Sequence, residues 1–423
     1  MLYIGGLVVI LTFAAIIKKF ETRLCLLLGG FLMAILSGHL MAAVDGFVKT
    51  MTSSLVVTIC SIMGFAYIMK MTHCDEHLVK LLTKALKKVP VLLIPGAVVI
   101  TWLINIPLTS AAGCSAAVGA ILIPALIKSG VYPAMAAAAV FAGTWGSVLS
   151  PGNTHNNFIS KMAMDAKLPN SSVMEVISVH ALASCAALVV VVICVTFVAK
   201  FLKEGSGYID PSETAIEDEH FKVRHLMAIM PVLPLVMLVL GTKQIGVLPP
   251  VFQSIPFTMI LGSALAAIVT KTNPQEIVKD FWRGAGDSYG SVMGLIICAA
   301  TFTAGMTAIG LTGTLIELMK ESQDVAKMAG AFGSFLIAVL AGSGDAATLA
   351  FNGAITPHAA DFGLGMIQLG SISNVAGALG RSCSPVAAGC IVCAGIAQIS
   401  PMEIAKRNFV TMFLACCIII VLL

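Results

Sequence analysis

The chain has 423 residues, 58% of them hydrophobic and only 11% charged, and its mean hydropathy is +0.98. A water-soluble domain of this size carries far more charge, so the composition excludes one and indicates a polytopic membrane protein. The formal net charge of +4 says little about partners, because topology organises charge in such a chain; a lipid bilayer is expected and nucleic acid is not.

The first apolar run, Leu2–Ile17, has no basic stretch before it and no small-residue cleavage site. It reads as a first spanning helix rather than a signal peptide. Further stretches long enough to cross are Leu24–Ala43, Ser53–Met69, Val131–Ala166, Val173–Phe201, Leu226–Gly241, Val251–Thr270, Ser288–Gly305, Gly363–Ile399 and Asn408–Leu423. His73–Lys88 is amphipathic and predicts a helix lying at the interface. Its His73, Cys74, Asp75 and His77 resemble a metal set only superficially. Most of the twelve cysteines lie in apolar runs, so neither a disulfide framework nor redox work by Cys390 and Cys393 is expected.

Two stretches are too long for one span, and each has a small polar apex. Val91–Lys128 contains Thr109-Ser110-Ala111-Ala112-Gly113, and Val325–His358 contains Gly342-Ser343-Gly344-Asp345. Both predict re-entrant helical hairpins. The spans after them break near Pro151 and Pro385, where the missing amide and the ring interrupt the helix. The two units match: Ser110 precedes Pro124 by 14 residues and Ser343 precedes Pro357 by 14. The chain therefore divides into residues 1–201, with hairpin 91–128 and broken helix 131–166; a polar cytoplasmic linker, 202–225; and residues 226–423, with hairpin 325–358 and broken helix 363–399.

Charge sets the orientation. With the N-terminus outside, cytoplasmic turns, Lys271–Asp287 among them, hold 18 of the 25 Lys and Arg residues, as the positive-inside rule requires. Five crossings per half make the second half inverted, with both termini on the outer (periplasmic) side of a bacterial inner membrane. Helix breaks in matching places of two inverted halves mark the substrate site of a secondary transporter. The fold class is all-α, an inverted-topology repeat of elevator type.

Arg381 is the one cation left at membrane depth. Such a charge costs several kcal/mol, about 2.5–3.5 on insertion scales, unless paired or hydrated. It is expected to clamp a substrate carboxylate through two parallel hydrogen bonds, or to pair with Asp345 on the facing hairpin. Around it, Ser110, Ala112, Asn153, Thr154, Ser343, Gly344, Asn374, Ser382 and Ser384 are candidate substrate-binding residues. Exposed amides at tips and half-helix N-termini attract anions, and freed carbonyls hold Na+. Candidate ion-coupling residues are Asp345, His155, Thr348 and Ser150, with Na+ sites near Ser110, Ser150, Ser343 and Ser384 or a proton as coupling ion. No other cofactor is implied. No nucleotide-binding or hydrolase motif is present, which argues against a pump or an enzyme.

The runs GFAYIMKMTHCDEHLVKLLTKAL, PLTSAAGCSAAVGAILIPALIKSGV, AGSGDAATLAF, SNVAGALGRSCSPVAAG and AQISPMEIAKR resemble the anaerobic C4-dicarboxylate carriers of the DcuC family, within the wider ion transporter superfamily. The resemblance covers most of the chain and is strongest from Ala341 to Arg407. It implies a dimeric elevator-type carrier exchanging or exporting succinate, fumarate or malate, with Ser110, Asn374, Arg381 and Ser384 at the site. Two stretches depart from the family pattern, GSGDA at the second tip and SPGNTHNN at the first break, both where ligand or coupling ion would bind. The expected function is C4-dicarboxylate exchange, efflux or ion-coupled symport. Rival readings are a carrier for another organic anion, a Na+/H+ antiporter using Asp345, an anion channel, and an intramembrane enzyme built on His155 and Ser150.

Overall fold

The computed structural model describes residues 2–18, 20–86, 93–208, 223–241, 246–314 and 323–423. Among these every regular element is helical. Six helical stretches are long and apolar enough to cross a membrane, among them Pro133–Asp165, Val173–Phe201, Pro274–Ala308 and Pro401–Leu422. Local chemistry sets their ends. Ser172 and Glu175 form a reciprocal capping box that starts Val173–Phe201. Proline occupies the first turn of Pro133–Ala142, Pro274–Ser288 and Pro401–Leu422, where its missing amide costs nothing.

Both expected hairpins form. The first has arms Leu93–Asn105 and Ala111–Lys128. The second descends through Gln323–Met328, a π turn and Ser334–Ala341, turns at Gly342 (φ +76°), and returns as Asp345–Ala354. Both following helices are interrupted as expected. The first runs Pro133–Ala142, a short 3-10 turn Gly146–Leu149, then Thr154–Asp165. The second runs Met366–Arg381, then Ala388–Ala397. Helix Cys74–Leu86 forms where the amphipathic stretch predicts it. The linker residues 209–222 lie outside the described residues, as do 87–92 at the first hairpin's entry.

Three stretches differ from expectation. Leu24–Ala43 is divided: Thr22–Leu36 ends before Gly38 (φ +76°), and Leu40–Met51 then bends by 46° into Leu55–Met71. Leu226–Gly241 is split into His225–Ile229 and Leu233–Leu240 by Pro231 and Pro234. The charged segment Lys271–Asp287, read as a turn, is helix Pro274–Ser288, and it continues through a π turn into Gly294–Ala308. Asn273 starts that helix by accepting from Gln275 N (3.0 Å).

Packing divides the helices into three cores. The largest joins the first hairpin, both interrupted helices, the first arm of the second hairpin, Val173–Phe201 and Pro401–Leu422. Val173–Phe201 and Pro401–Leu422 thus pack in the core that holds the breaks. A second core joins residues 8–59, Met293–Leu311 and the return arm of the second hairpin. A third joins Ile62–Cys74 with Met227–Ile277.

Helix Thr22–Leu36 crosses Gly294–Ala308 where Gly30 meets Gly305. A Cβ at Gly305 would stand 2.2 Å from Gly30 O, so only glycine permits this approach. Gly305→Ala is expected to destabilise the protein by about 1–3 kcal/mol, read as a lower thermal midpoint in detergent. Gly6→Ala, whose added Cβ meets nothing within 4 Å, should leave the midpoint unchanged.

Candidate functional site

The two hairpin tips and the two breaks meet. Thr109 at the first tip packs against Gly152 of the first break, with Cγ2 3.3 Å from a Cβ placed there. Gly389, beyond the second break, packs on Ala111 and Ser115 of the first hairpin. At the second tip Gly342 lies against Val386 of the second break, and Asp345 reaches His155 beside the first break, Oδ1 to Nε2 3.0 Å. Each tip therefore touches one break and the helix that follows the other.

Interrupting a helix frees amides and carbonyls that a bilayer interior cannot hydrate. Side-chain amides take them up. Asn105 accepts from Ser147 N (2.9 Å) and donates to Leu108 O (2.8 Å), joining the first tip to the first break. Asn156 Nδ2 donates to Val148 O (2.7 Å) and Ser150 O (3.1 Å). Asn157 Nδ2 donates to Pro151 O and Asn153 O, both at 2.8 Å. Asn374 Nδ2 donates to Asn156 Oδ1 (2.8 Å), which ties the second interrupted helix to the first. Asn408 Nδ2 donates to Ala138 O (3.1 Å) and Ser382 O (3.3 Å). The first arm approaches so closely that a Cβ at Gly146 would stand 1.9 Å from Trp102 O.

Four helices begin at this junction, and their N-termini differ. Ser110 Oγ accepts from Gly113 N (3.1 Å), and Asn153 Oδ1 accepts from His155 N (2.9 Å) and Asn156 N (3.1 Å). These two starts, both from the first half, are capped. The starts of Asp345–Ala354 and Ala388–Ala397 have Gly344 and Ala387 at the cap position and no side-chain cap bond. Ser343 Oγ takes the Asp345 amide (3.3 Å), and the later first-turn amides of the two helices face the junction without a capping side chain.

Arg381 ends the first part of the second interrupted helix and is half-buried. Its Nη2 donates to Thr144 O in the first break (2.9 Å), and among the described residues it forms no ion pair. The alternative pairing with Asp345 is not formed, because the Asp345 carboxylate is taken by His155 instead. Asp345 keeps 56% of its side chain exposed, and His155 keeps 11%. The other candidates are placed as follows. Ser343 Oγ accepts from Asp345 N (3.3 Å), and Ser150 Oγ from Gly152 N (3.1 Å). Ser382 Oγ donates to Ala378 O (2.9 Å) and Ser384 Oγ to Val339 O (2.6 Å), both fully buried. Thr154 and Ala112 are half-buried near their helix starts. Thr348 Oγ1 and Asn374 Oδ1 are buried with no hydrogen-bond partner.

Sequence reasoning missed His180, Asn105, Asn156, Asn157 and Asn408. His180 is fully buried. Its Nε2 lies 2.9 Å from Val148 O and its Nδ1 3.0 Å from Ser371 Oγ. The carbonyl accepts, so Nε2 carries the proton and Nδ1 accepts from the serine. His180 thus holds the first break and the second interrupted helix together. A polar residue on one turn of a long apolar helix was the available signal. His180→Ala is expected to lower stability by about 1–3 kcal/mol, the usual range for stranding a buried polar group. The exposed His225→Ala should leave the detergent thermal midpoint in place. Equal midpoints for the two variants would remove this role.

The family model described as C4-dicarboxylate anaerobic carrier matches residues 9–423. A Haemophilus influenzae protein called a putative uncharacterized transporter is 34% identical over 276 residues, covering 63% of this chain and 97% of that one. The anaerobic C4-dicarboxylate transporter DcuC of Escherichia coli K12 is 26% identical over 370 residues, covering 85% of this chain and 78% of that one. Among solved structures, the Alcanivorax borkumensis YdaH transporter superposes with a TM-score of 0.61 at 14% identity, over 89% of this chain and 86% of that one. Neisseria gonorrhoeae MtrF superposes with 0.57 at 13% identity, over 92% and 84%. These two show a shared transporter fold and nothing finer. With a family model spanning residues 9–423 and a junction of two hairpin tips with two helix breaks, the chain belongs to the DcuC family of C4-dicarboxylate anaerobic carriers, a transporter family and not an enzyme family.

Proposed function

We propose that this protein is a secondary carrier of four-carbon dicarboxylates in a bacterial inner membrane, with the junction of tips and breaks as its substrate site. The observation that carries this reading is Arg381, held at that junction by Thr144 O and left without an ion pair among the described residues. A guanidinium so placed grips a carboxylate with two parallel hydrogen bonds. The uncapped starts of Asp345–Ala354 and Ala388–Ala397 offer amides and a favourable dipole to the second carboxylate. Ser110 at the first tip, Asn153 at the first break and Asn374 within Met366–Arg381 support these groups.

The Asp345–His155 pair supplies coupling in this reading. A dianion entering beside Asp345 meets a like charge. A proton on the pair removes that repulsion, so proton and dicarboxylate bind together. Na+ held by carbonyls near Ser110, Ser150, Ser343 and Ser384 is the competing coupling scheme, and direct exchange of dicarboxylates needs neither ion.

The mechanism in this reading is an elevator built on an inverted repeat, with both termini outside. The moving body is the core that contains both breaks, and it includes Val173–Phe201 and Pro401–Leu422 because these pack within it. The frame consists of the remaining helices of the other two cores, the return arm Asp345–Ala354 moving with the hairpin that carries it. A homodimer formed through the frame follows from the family resemblance.

The deciding experiment is succinate counterflow in proteoliposomes. Internal fumarate should stimulate uptake of labelled succinate strongly, and arms with a Na+ or pH gradient identify the coupling ion. No succinate flux under any gradient would sink the substrate class. Arg381→Ala should reduce counterflow at least tenfold, since a hydrogen bond to a charged group is worth about 1.5–3 kcal/mol, while membrane insertion persists. Arg381→Lys should recover little, because an ammonium lacks the planar fork. Asp345→Asn should flatten the pH dependence of transport; an unchanged pH profile would remove the coupling role.

A further inference from the structure

A cavity of about 530 Å³ lies beside the junction and shares with it only Pro151 and Asn157 among the residues described above. One wall is Leu55, Ile255 and neighbouring residues of the second and third cores. The other wall is helix Thr154–Asp165 and the start of Val173–Phe201, and the cavity reaches Pro151 on the first break. At roughly 30 Å³ per water it has room for a small dianion with part of its hydration shell.

Its lining mixes apolar and polar surface, with Asn157, Ser160 and Gln253 among the polar contributors, and among the described residues Lys161 is its one basic side chain. Glu175 is its one acid, and its carboxylate is engaged with Ser172 N (2.9 Å) and Ser172 Oγ (2.7 Å). Lys161 pairs with Asp165 one turn along the same helix, and the Asp165 side chain is 60% exposed. A pair of this kind is worth about 0.3–0.5 kcal/mol, so an arriving carboxylate displaces Asp165 at small cost. A cation in a cleft of low-dielectric walls also raises the local anion concentration.

We propose that this cavity is an access chamber for dicarboxylate on one face of the membrane, with Lys161 as its recognising cation. It rests on the carrier reading given above. The substrate pairs first with Lys161, then passes Pro151 to reach Arg381. In this proposal the chamber serves one face of the membrane, so its contribution is one-sided.

The test is succinate counterflow measured separately from each face, in right-side-out and inside-out vesicles, for the unmodified chain, Lys161→Gln and Asp165→Asn. Lys161→Gln is expected to raise KM about fivefold from one face, the equivalent of about 1 kcal/mol for a partly exposed charge pair. It should leave the maximal rate and the KM from the other face unchanged. Asp165→Asn, which frees Lys161, should lower KM from that same face. Unchanged KM in both variants, or an equal rise from both faces, overturns the chamber alone. Absence of succinate counterflow in the unmodified chain overturns the carrier reading and the chamber with it.

Discussion

The structure depends on one constraint: every backbone amide and carbonyl released by a helix break inside a bilayer needs a partner. Each unpaired group there costs several kcal/mol. This chain breaks its helices at two tips and in two interrupted spans, then meets the demand with carboxamides and one imidazole. Asn105, Asn156, Asn157, Asn408 and His180 all bond to carbonyls or amides of the broken segments. The Asn156 and Asn157 donations stay within the first break, while Asn105, His180, Asn408 and the Asn374–Asn156 bond reach across to other helices and so lock the breaks against their neighbours. The few groups left over, at Arg381 and at two uncapped helix starts, are then well placed by a rigid surround.

The two halves spell nearly the same text but divide the work unequally. In the first half Ser110 and Asn153 spend their side-chain oxygens on their own helix starts. In the second half Gly344 and Ala387 make no side-chain cap bond, and Ser343 Oγ takes the Asp345 amide. The charged groups follow the same division, since Arg381 and Asp345 both come from the second half. Each nevertheless finds its partner in the first half, Thr144 O for one and His155 for the other. Neither half is a complete site.

Much of this was legible in the sequence, because it was written in local chemistry. Proline at 151 and 385, glycine and serine at the apices, and long apolar flanks fixed the hairpins and breaks before any coordinates. Arg381 stood out by its charge alone. What could not be read was partner choice across space. Nothing in residues 341–387 says that Asp345 will meet His155 rather than Arg381. The hydroxyls of Ser382 and Ser384 look free in sequence, yet they donate to carbonyls of their own helix or its neighbour. The first break was expected at Pro151 but starts at Gly143, where close approach of the first hairpin arm decides the backbone. Lys271–Asp287 looked like a turn because it is charged, although its polar and apolar residues alternate with helical spacing.

That last segment belongs to the longest helical run, Pro274–Ala308, of 35 residues. At 1.5 Å per residue it measures roughly 50 Å, against a hydrocarbon core of roughly 30 Å. About four turns must therefore stand clear of the lipid tails. The Pro274–Ser288 end carries Lys279 and Arg283 beside an exposed Trp282, the residues that settle at the headgroup level. The same end is fastened to Leu55–Met71 through Tyr67 and Asp287 (2.6 Å). The run thus carries its own interfacial anchors and is tied to the neighbouring helix at the same end, so its charged end and its apolar end are held at different levels of one rigid rod.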